Sequence, residues 1–195
     1  MPKLGMEPIR KAALVKATIA EIGRAGSLDV TVSQIARRAG MSTALAHHYF
    51  GNKEQMFLAA MRHVLSLYGA EVRGALATAD GPRSRLNAIV RVSFAAASFR
   101  REVVGAWLNF YVLAQTVPDA KRLLRVYQHR LRSNLVAELR PLVGDRAPGV
   151  ADGVGALIDG VYIREALSDR SPDGAAATRI VLAYLEAKID CGGQG

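Results

Sequence analysis

The adjacent pair His47-His48, followed by Tyr49 in the run "ALAHHYF", is the first place where side chains could do chemistry. Two histidines invite metal ligation or proton transfer. On a helix, however, neighbouring residues point about 100° apart, whereas a metal-binding pair wants the i, i+4 spacing that puts both rings on one face. No cysteine or carboxylate stands close by in sequence to complete a ligand set. The pair is therefore expected to hold no metal. A second grouping is aromatic. Trp107, Phe110 and Tyr111 fall at i, i+3 and i+4, and Tyr127 and Tyr162 lie on later segments. With aromatics only 6% of the chain, such a gathering reads as a ligand wall, with ordinary core packing as the competing reading. Asp159 and Glu165 are the candidate carboxylates for a cationic ligand, although Asp159 could instead serve Arg164 or a helix dipole. Nowhere do a nucleophile, a base and an orienting group occur together, and no Gly-rich phosphate loop follows a strand. Enzymatic chemistry and a bound cofactor are not expected.

The elements that must position these residues are helices. Ala, Leu, Arg and Val dominate the chain, and no sustained two-residue alternation suggests strands. A helix over 7–25 places Ile9, Ala13, Ala17, Ala20 and Ile22 on one side and stops at Gly26. Thr31 with Gln34 has capping-box spacing and opens a helix ending at Gly40. Ser42 caps the next, to about 50, and Asn52 with Gln55 opens a long helix to about 79. Helices follow over 82–99, 103–115, 118–142, 150–168 and, after Ser171-Pro172-Asp173, to about 189. The expected fold is all-α with nine helices. A boundary near residue 55 separates a small helical domain, 1–55, from a larger one, 56–195.

The stop at Gly40 and immediate restart at Ser42 have the form of a helix-turn-helix. Ile35 and Ala36 face inward, Gly40 takes a left-handed turn, Met41 plugs the gap, and Ser42 caps a helix whose positive end faces phosphate. The charge balance agrees. The chain has 26 Lys+Arg against 17 Asp+Glu, a formal charge of +9, which suits a polyanionic partner. No apolar run approaches the roughly 18 residues needed to span a bilayer, and the charged N-terminus lacks a signal-peptide core. Cys191 is the single cysteine and has no intrachain partner. A reduced, cytoplasmic protein with no membrane association is expected.

The stretch "TVSQIARRAGMSTALAHHYFGNKEQMF" resembles the DNA-binding domain of the tetracycline-repressor (TetR) family. That resemblance implies that Gln34, Ser42, Thr43 and His47 face DNA, with Tyr49 and Lys53 at phosphate positions; Arg37 and Arg38 lie near that face, and Ala44 and His48 complete the expected DNA-binding set. His47 and Tyr49 depart from the pattern, since many members have Tyr and His there. "MPKLGM", "AWLNFY", "RLRSNLVAELR" and "ALIDGVYIREALS" further resemble the choline-responsive branch of the family, which represses glycine-betaine synthesis genes. This implies a homodimeric repressor on a palindromic double-stranded operator, with choline as effector. Choline, a quaternary ammonium, needs an aromatic enclosure and a carboxylate, which Trp107, Phe110, Tyr111, Tyr127, Tyr162 and Asp159 would supply. A drug or fatty acid as effector, or a helical enzyme, are the alternative readings. For dimerisation, apolar stripes through Leu157, Ile158, Val161, Val181, Tyr184 and Leu185 suit a four-helix interface between subunits. Burial inside one chain is the competing reading for that stripe.

Overall fold

The computed structural model describes residues 5–190; Cys191, the first four residues and the last four lie outside it. Within those bounds the chain forms nine α-helices and one short 3-10 turn. They are α1 (Met6–Ala25), α2 (Val32–Arg38), α3 (Thr43–Phe50), α4 (Lys53–Thr78), α5 (Gly81–Ser93), α6 (Arg101–Thr116), α7 (Pro118–Val143), α8 (Ala147–Ala166) and α9 (Gly174–Asp190).

The capping chemistry expected from sequence is formed. The Thr31 hydroxyl accepts from the Gln34 amide N–H at 3.1 Å, and the Gln34 side chain accepts in return from the Thr31 N–H at 2.7 Å. Ser42 accepts from Leu45 N–H and Asn52 from Gln55 N–H, opening α3 and α4. Asp173, rather than Ser171, caps α9 through the Ala176 N–H.

Three departures have physical causes. The buried face of α1 is Leu14, Val15, Ala17, Thr18, Ile19, Glu21 and Ile22, while Ile9 is 62% exposed and Ala13 and Ala20 are half-buried. The helix is flanked by α4 and by α6, so its covered surface is wider than a single stripe and is rotated from the expected one. The helix after Pro82 ends at Ser93, not Phe99. Ala95–Ala97 favour helix, but a turn there swings Phe94 and Phe99 inward. Their rings meet edge to face at 5.0 Å, and both pack on Tyr162. Finally, α8 begins at Ala147, three residues early, with Pro148 in its first turn where proline needs no N–H partner.

Two glycines fix how α1 meets α6. A side-chain carbon at Gly23 would overlap the Glu102 backbone, and one at Gly105 would lie 3.4 Å from Gly23 Cα. The two helices therefore touch backbone to backbone. The Asn109 side chain donates to the Gly26 carbonyl just past the end of α1, and to Gly105 O within its own helix.

Candidate nucleic-acid interface and ligand site

The turn between α2 and α3 has the geometry its sequence implied. Gly40 adopts φ +68°, the left-handed region that glycine enters without steric cost. The Met41 N–H bonds back to Ala36 O, and Ile35, Ala36 and Ala46 are fully buried between the helices. The N-terminus of α3 is left at the surface, with Ser42 and Ala44 exposed and Thr43 half-exposed. Amide groups and the positive helix end are thus open to an anion such as phosphate.

The expected DNA-facing residues divide into free and engaged groups. Arg37 is exposed and forms no ion pair among the described residues, and His48 is exposed beside the Tyr49 ring. Arg38 is different. Its guanidinium is ion-paired with Glu21 of α1, which Arg24 also holds at 2.8 Å. Bonds from Arg24 and Arg38 keep the buried Glu21 carboxylate below its ordinary pKa. Arg38 thus ties α2 to α1, a role set by a partner 17 positions away in the chain. Gln34 spends its side-chain oxygen on the Thr31 cap. His47 Nδ1 lies 2.6 Å from Gly51 O, so Nδ1–H donates there and Nε2 is the ring atom left for another partner. Lys53 donates to Leu28 O at 2.7 Å, fastening the start of α4 to the α1–α2 loop.

The larger helices bring the aromatic residues together. Trp107 is buried, and its ring lies 4.9 Å from Tyr127, 5.7 Å from Phe110, 5.8 Å from Tyr111 and 6.0 Å from Tyr162. Phe110 is fully buried, its ring meeting Phe57 of α4 edge to face at 6.4 Å. Tyr111 donates to Asp159 at 2.9 Å, and Gln128 lines the same cavity as that carboxylate. Asp159 and Tyr127 line a cavity of about 340 Å³ between α7 and α8.

Among the described residues, no lysine or arginine pairs with Asp159. Burial raises its pKa, and Tyr111 and Gln128 only partly offset this. Burial also raises the pKa of Tyr111, Tyr127 and Tyr162, with the Asp159 charge adding to it, so these rings remain neutral. Glu165, the other candidate carboxylate, accepts from Asp173 N–H at the approach to α9.

Sequence reasoning missed Tyr68, Phe94, Phe99 and Gln128. Tyr68 stands edge-on to Tyr127 at 5.8 Å and bonds Ser93 Oγ, while Tyr162 donates to Ser93 O at 2.5 Å. Gln128 carried a usable signal, being next to Tyr127. Phe94 and Phe99 were hidden by the expectation of unbroken helix.

The expected dimerisation stripe is largely interior. Ile158, Val181 and Leu185 are fully buried within this chain and Val161 nearly so, because α8 and α9 seal one another to the bundle. They belong to the chain's own core, a correction to the expected interface; only Leu157 and Tyr184 of that set are half-exposed. The outward stripes are Ala156, Gly160 and Ile163 along α8 with Leu167 at its C-terminal cap, and Ala176, Ile180, Ala183 and Ala187 along α9. Each has helical spacing and carries no charge.

Known proteins agree with this architecture. Residues 14–60 match the description "Bacterial regulatory proteins, tetR family", and residues 82–190 match "BetI-type transcriptional repressor, C-terminal". The HTH-type transcriptional regulator BetI of Brucella suis biovar 1 is 51% identical over 190 residues, covering 97% of this chain and 96% of the relative. Its counterpart in Agrobacterium fabrum is 49% identical, covering 97% and 92%. Among solved structures, a protein described as a transcriptional regulator from Pseudomonas aeruginosa PAO1 is similar with a TM-score of 0.79 and 27% identity, over 96% of this chain and 93% of that one. Another, from Saccharomonospora viridis and solved in complex with choline, has the same fold at a TM-score of 0.78 and 21% identity, over 90% and 95%. These relatives and families are transcriptional regulators, not enzymes. No helix among the described residues is long and apolar enough to cross a membrane. The chain belongs to the TetR family of bacterial transcriptional regulators and is a DNA-binding repressor with a BetI-type C-terminal domain.

Proposed function

We propose that this repressor acts as a homodimer on a palindromic operator of glycine-betaine synthesis genes and is released by choline. The observation that carries the effector reading is Asp159, a largely enclosed carboxylate at the Trp107, Tyr111, Tyr127 and Tyr162 cluster with no cationic partner among the described residues. A quaternary ammonium supplies the missing charge without needing a hydrogen-bond acceptor, and aromatic faces add roughly 0.5–2 kcal/mol per good cation–π contact. The choline bound to the Saccharomonospora viridis structure supports the same reading.

Two α3 helices of a dimer would enter successive major grooves, with half-sites roughly 34–36 Å apart. The uncharged outward stripes of α8 and α9 suit a self-complementary, two-fold interface between copies. Choline releases DNA only by the difference in its affinity for the free and operator-bound conformations. A tenfold release needs about 1.4 kcal/mol, which one or two cation–π contacts provide.

The test is operator binding titrated with choline, betaine aldehyde and glycine betaine. Choline is expected to weaken binding at least tenfold. Trp107→Phe should retain part of this response, with circular dichroism showing the fold intact. Indifference of the unaltered protein to all three compounds overturns the effector reading and leaves the repressor assignment standing.

A further inference from the structure

A second cavity, of about 550 Å³, runs between α4 and α7 on the other side of Tyr127 from Asp159. Its residues recur at helical spacing on both elements, so it is a seam between two helices rather than a gap in a loop. Small Ser66 and Gly69 open the seam. A side-chain carbon added at Gly69 would meet only the Arg73 guanidinium, at 3.4 Å. The floor is apolar, with Val72 and Leu131 buried and Leu76 and Leu123 half-buried. Val126, 41% exposed, leaves the apolar lining open to solvent at one edge. Among the described residues all the charge on the lining is positive: Arg62, Arg73 and Arg130 are exposed, and no Asp or Glu lines the cavity. None of the three arginines forms an ion pair among the described residues.

We infer that this seam is a second ligand site, for an amphipathic anion: a free monocarboxylate with an unbranched alkyl tail of medium length. Guanidinium groups match a carboxylate in charge and fork geometry, and the apolar floor takes the tail. Arg62 and Arg73 stand on α4 roughly 16 Å of helix apart, so a tail anchored at one arginine runs along the trough toward the other. The charge preference is opposite to that of the Asp159 cluster, which makes the two sites separable. The inference does not depend on choline being the effector.

The test uses isothermal titration of the full chain with decanoate below its micelle concentration. One decanoate is expected per chain, and affinity should rise roughly fourfold for each added methylene from hexanoate to decanoate, as apolar surface is buried. Decanol, with the same tail and no charge, should bind at least tenfold more weakly. Arg73→Gln combined with Arg130→Gln should weaken decanoate at least tenfold and leave choline binding unchanged. Gly69→Leu, which fills the trough from a well-tolerated helical position, should abolish decanoate binding. The proposal is overturned by absence of binding, by equal binding to both variants, by decanol binding as tightly, or by competitive displacement of decanoate with choline.

Discussion

The Tyr111 hydroxyl donates to Asp159 at 2.9 Å, joining α6 to α8 where the aromatic cluster meets a carboxylate that has no cationic partner among the described residues. The bond orients the carboxylate without neutralising it. Burial raises the Asp159 pKa, so folding without a ligand disfavours the charged form relative to the unfolded chain. Stability conferred by protonation is present below the ordinary carboxylate pKa and is lost as pH rises through the raised, folded-state value.

Asp159→Asn is therefore expected to act oppositely on stability and function. Removing a poorly compensated buried charge should raise the neutral-pH melting temperature by roughly 2–4 °C, the shift about 1 kcal/mol gives in a chain this size. The same change should abolish operator release by choline. In the unaltered protein, choline affinity should fall as pH drops through the Asp159 pKa, because the bound cation requires the charged form. Calorimetry across pH checks both, with the Asn variant as a flat reference. A variant that keeps its choline response removes Asp159 from the site.

Arg37 and Arg38, adjacent in sequence, should behave differently. Arg37 is free to meet phosphate, so Arg37→Ala should lower operator affinity and reduce the salt-dependence slope by about 0.9 for each phosphate that the arginine neutralises. Arg38 is held by Glu21, so Arg38→Ala should lower the melting temperature and leave that slope nearly unchanged. Glu21 has a lowered folded pKa, so its contribution to stability is present at neutral pH and lost as pH falls through that value. Filter-binding isotherms at several salt concentrations, with thermal melts, separate the two arginines. Equal slopes for both variants would contradict the division.

The outer and inner faces of α9 offer a matching pair. Ile180 is 53% exposed, whereas Leu185 is fully buried. Ile180→Asp should yield a folded monomer with reduced operator affinity, since a monomer reads one half-site. Leu185→Asp should unfold the chain, because it buries a lone charge at a cost of several kcal/mol. Sedimentation velocity with circular dichroism reads both outcomes. A fully dimeric Ile180→Asp protein would move the interface off this stripe.

Local chemistry was legible in the sequence and long-range pairing was not. The Thr31–Gln34 cap, the Gly40 turn and the Ser42 cap depend on residues a few positions apart, and residue types alone specify them. The aromatic grouping on α6 was visible because helical periodicity places Trp107 and Tyr111 on one face. What escaped was set by partners far along the chain. Arg38 is held by Glu21, 17 positions earlier, a partner that the residues around Arg38 do not reveal. Ile158 and Leu185 look like an interface because an apolar stripe does not reveal which helix covers it. The α5 boundary failed because alanines favour helix locally, while Phe94 and Phe99 gain more by reaching Tyr162.

The glycine contact between α1 and α6 has a mechanical consequence. Gly23 lies near the C-terminal end of α1, so most of that helix extends to one side of the crossing, roughly 25 Å toward Met6 at 1.5 Å per residue. With no side chain interposed, the crossing is a fulcrum. Any tilt imposed on α6 near Trp107 is delivered to α1 without the slack that interlocking side chains provide, and grows along its long arm. A tilt of about 5° over that 1.5 Å-per-residue length displaces the far end by about 2 Å. Glu21, which Arg38 of α2 holds, lies only two residues from the crossing, about 3 Å at 1.5 Å per residue, so α2 is tied to α1 close to the pivot rather than at the end of the arm.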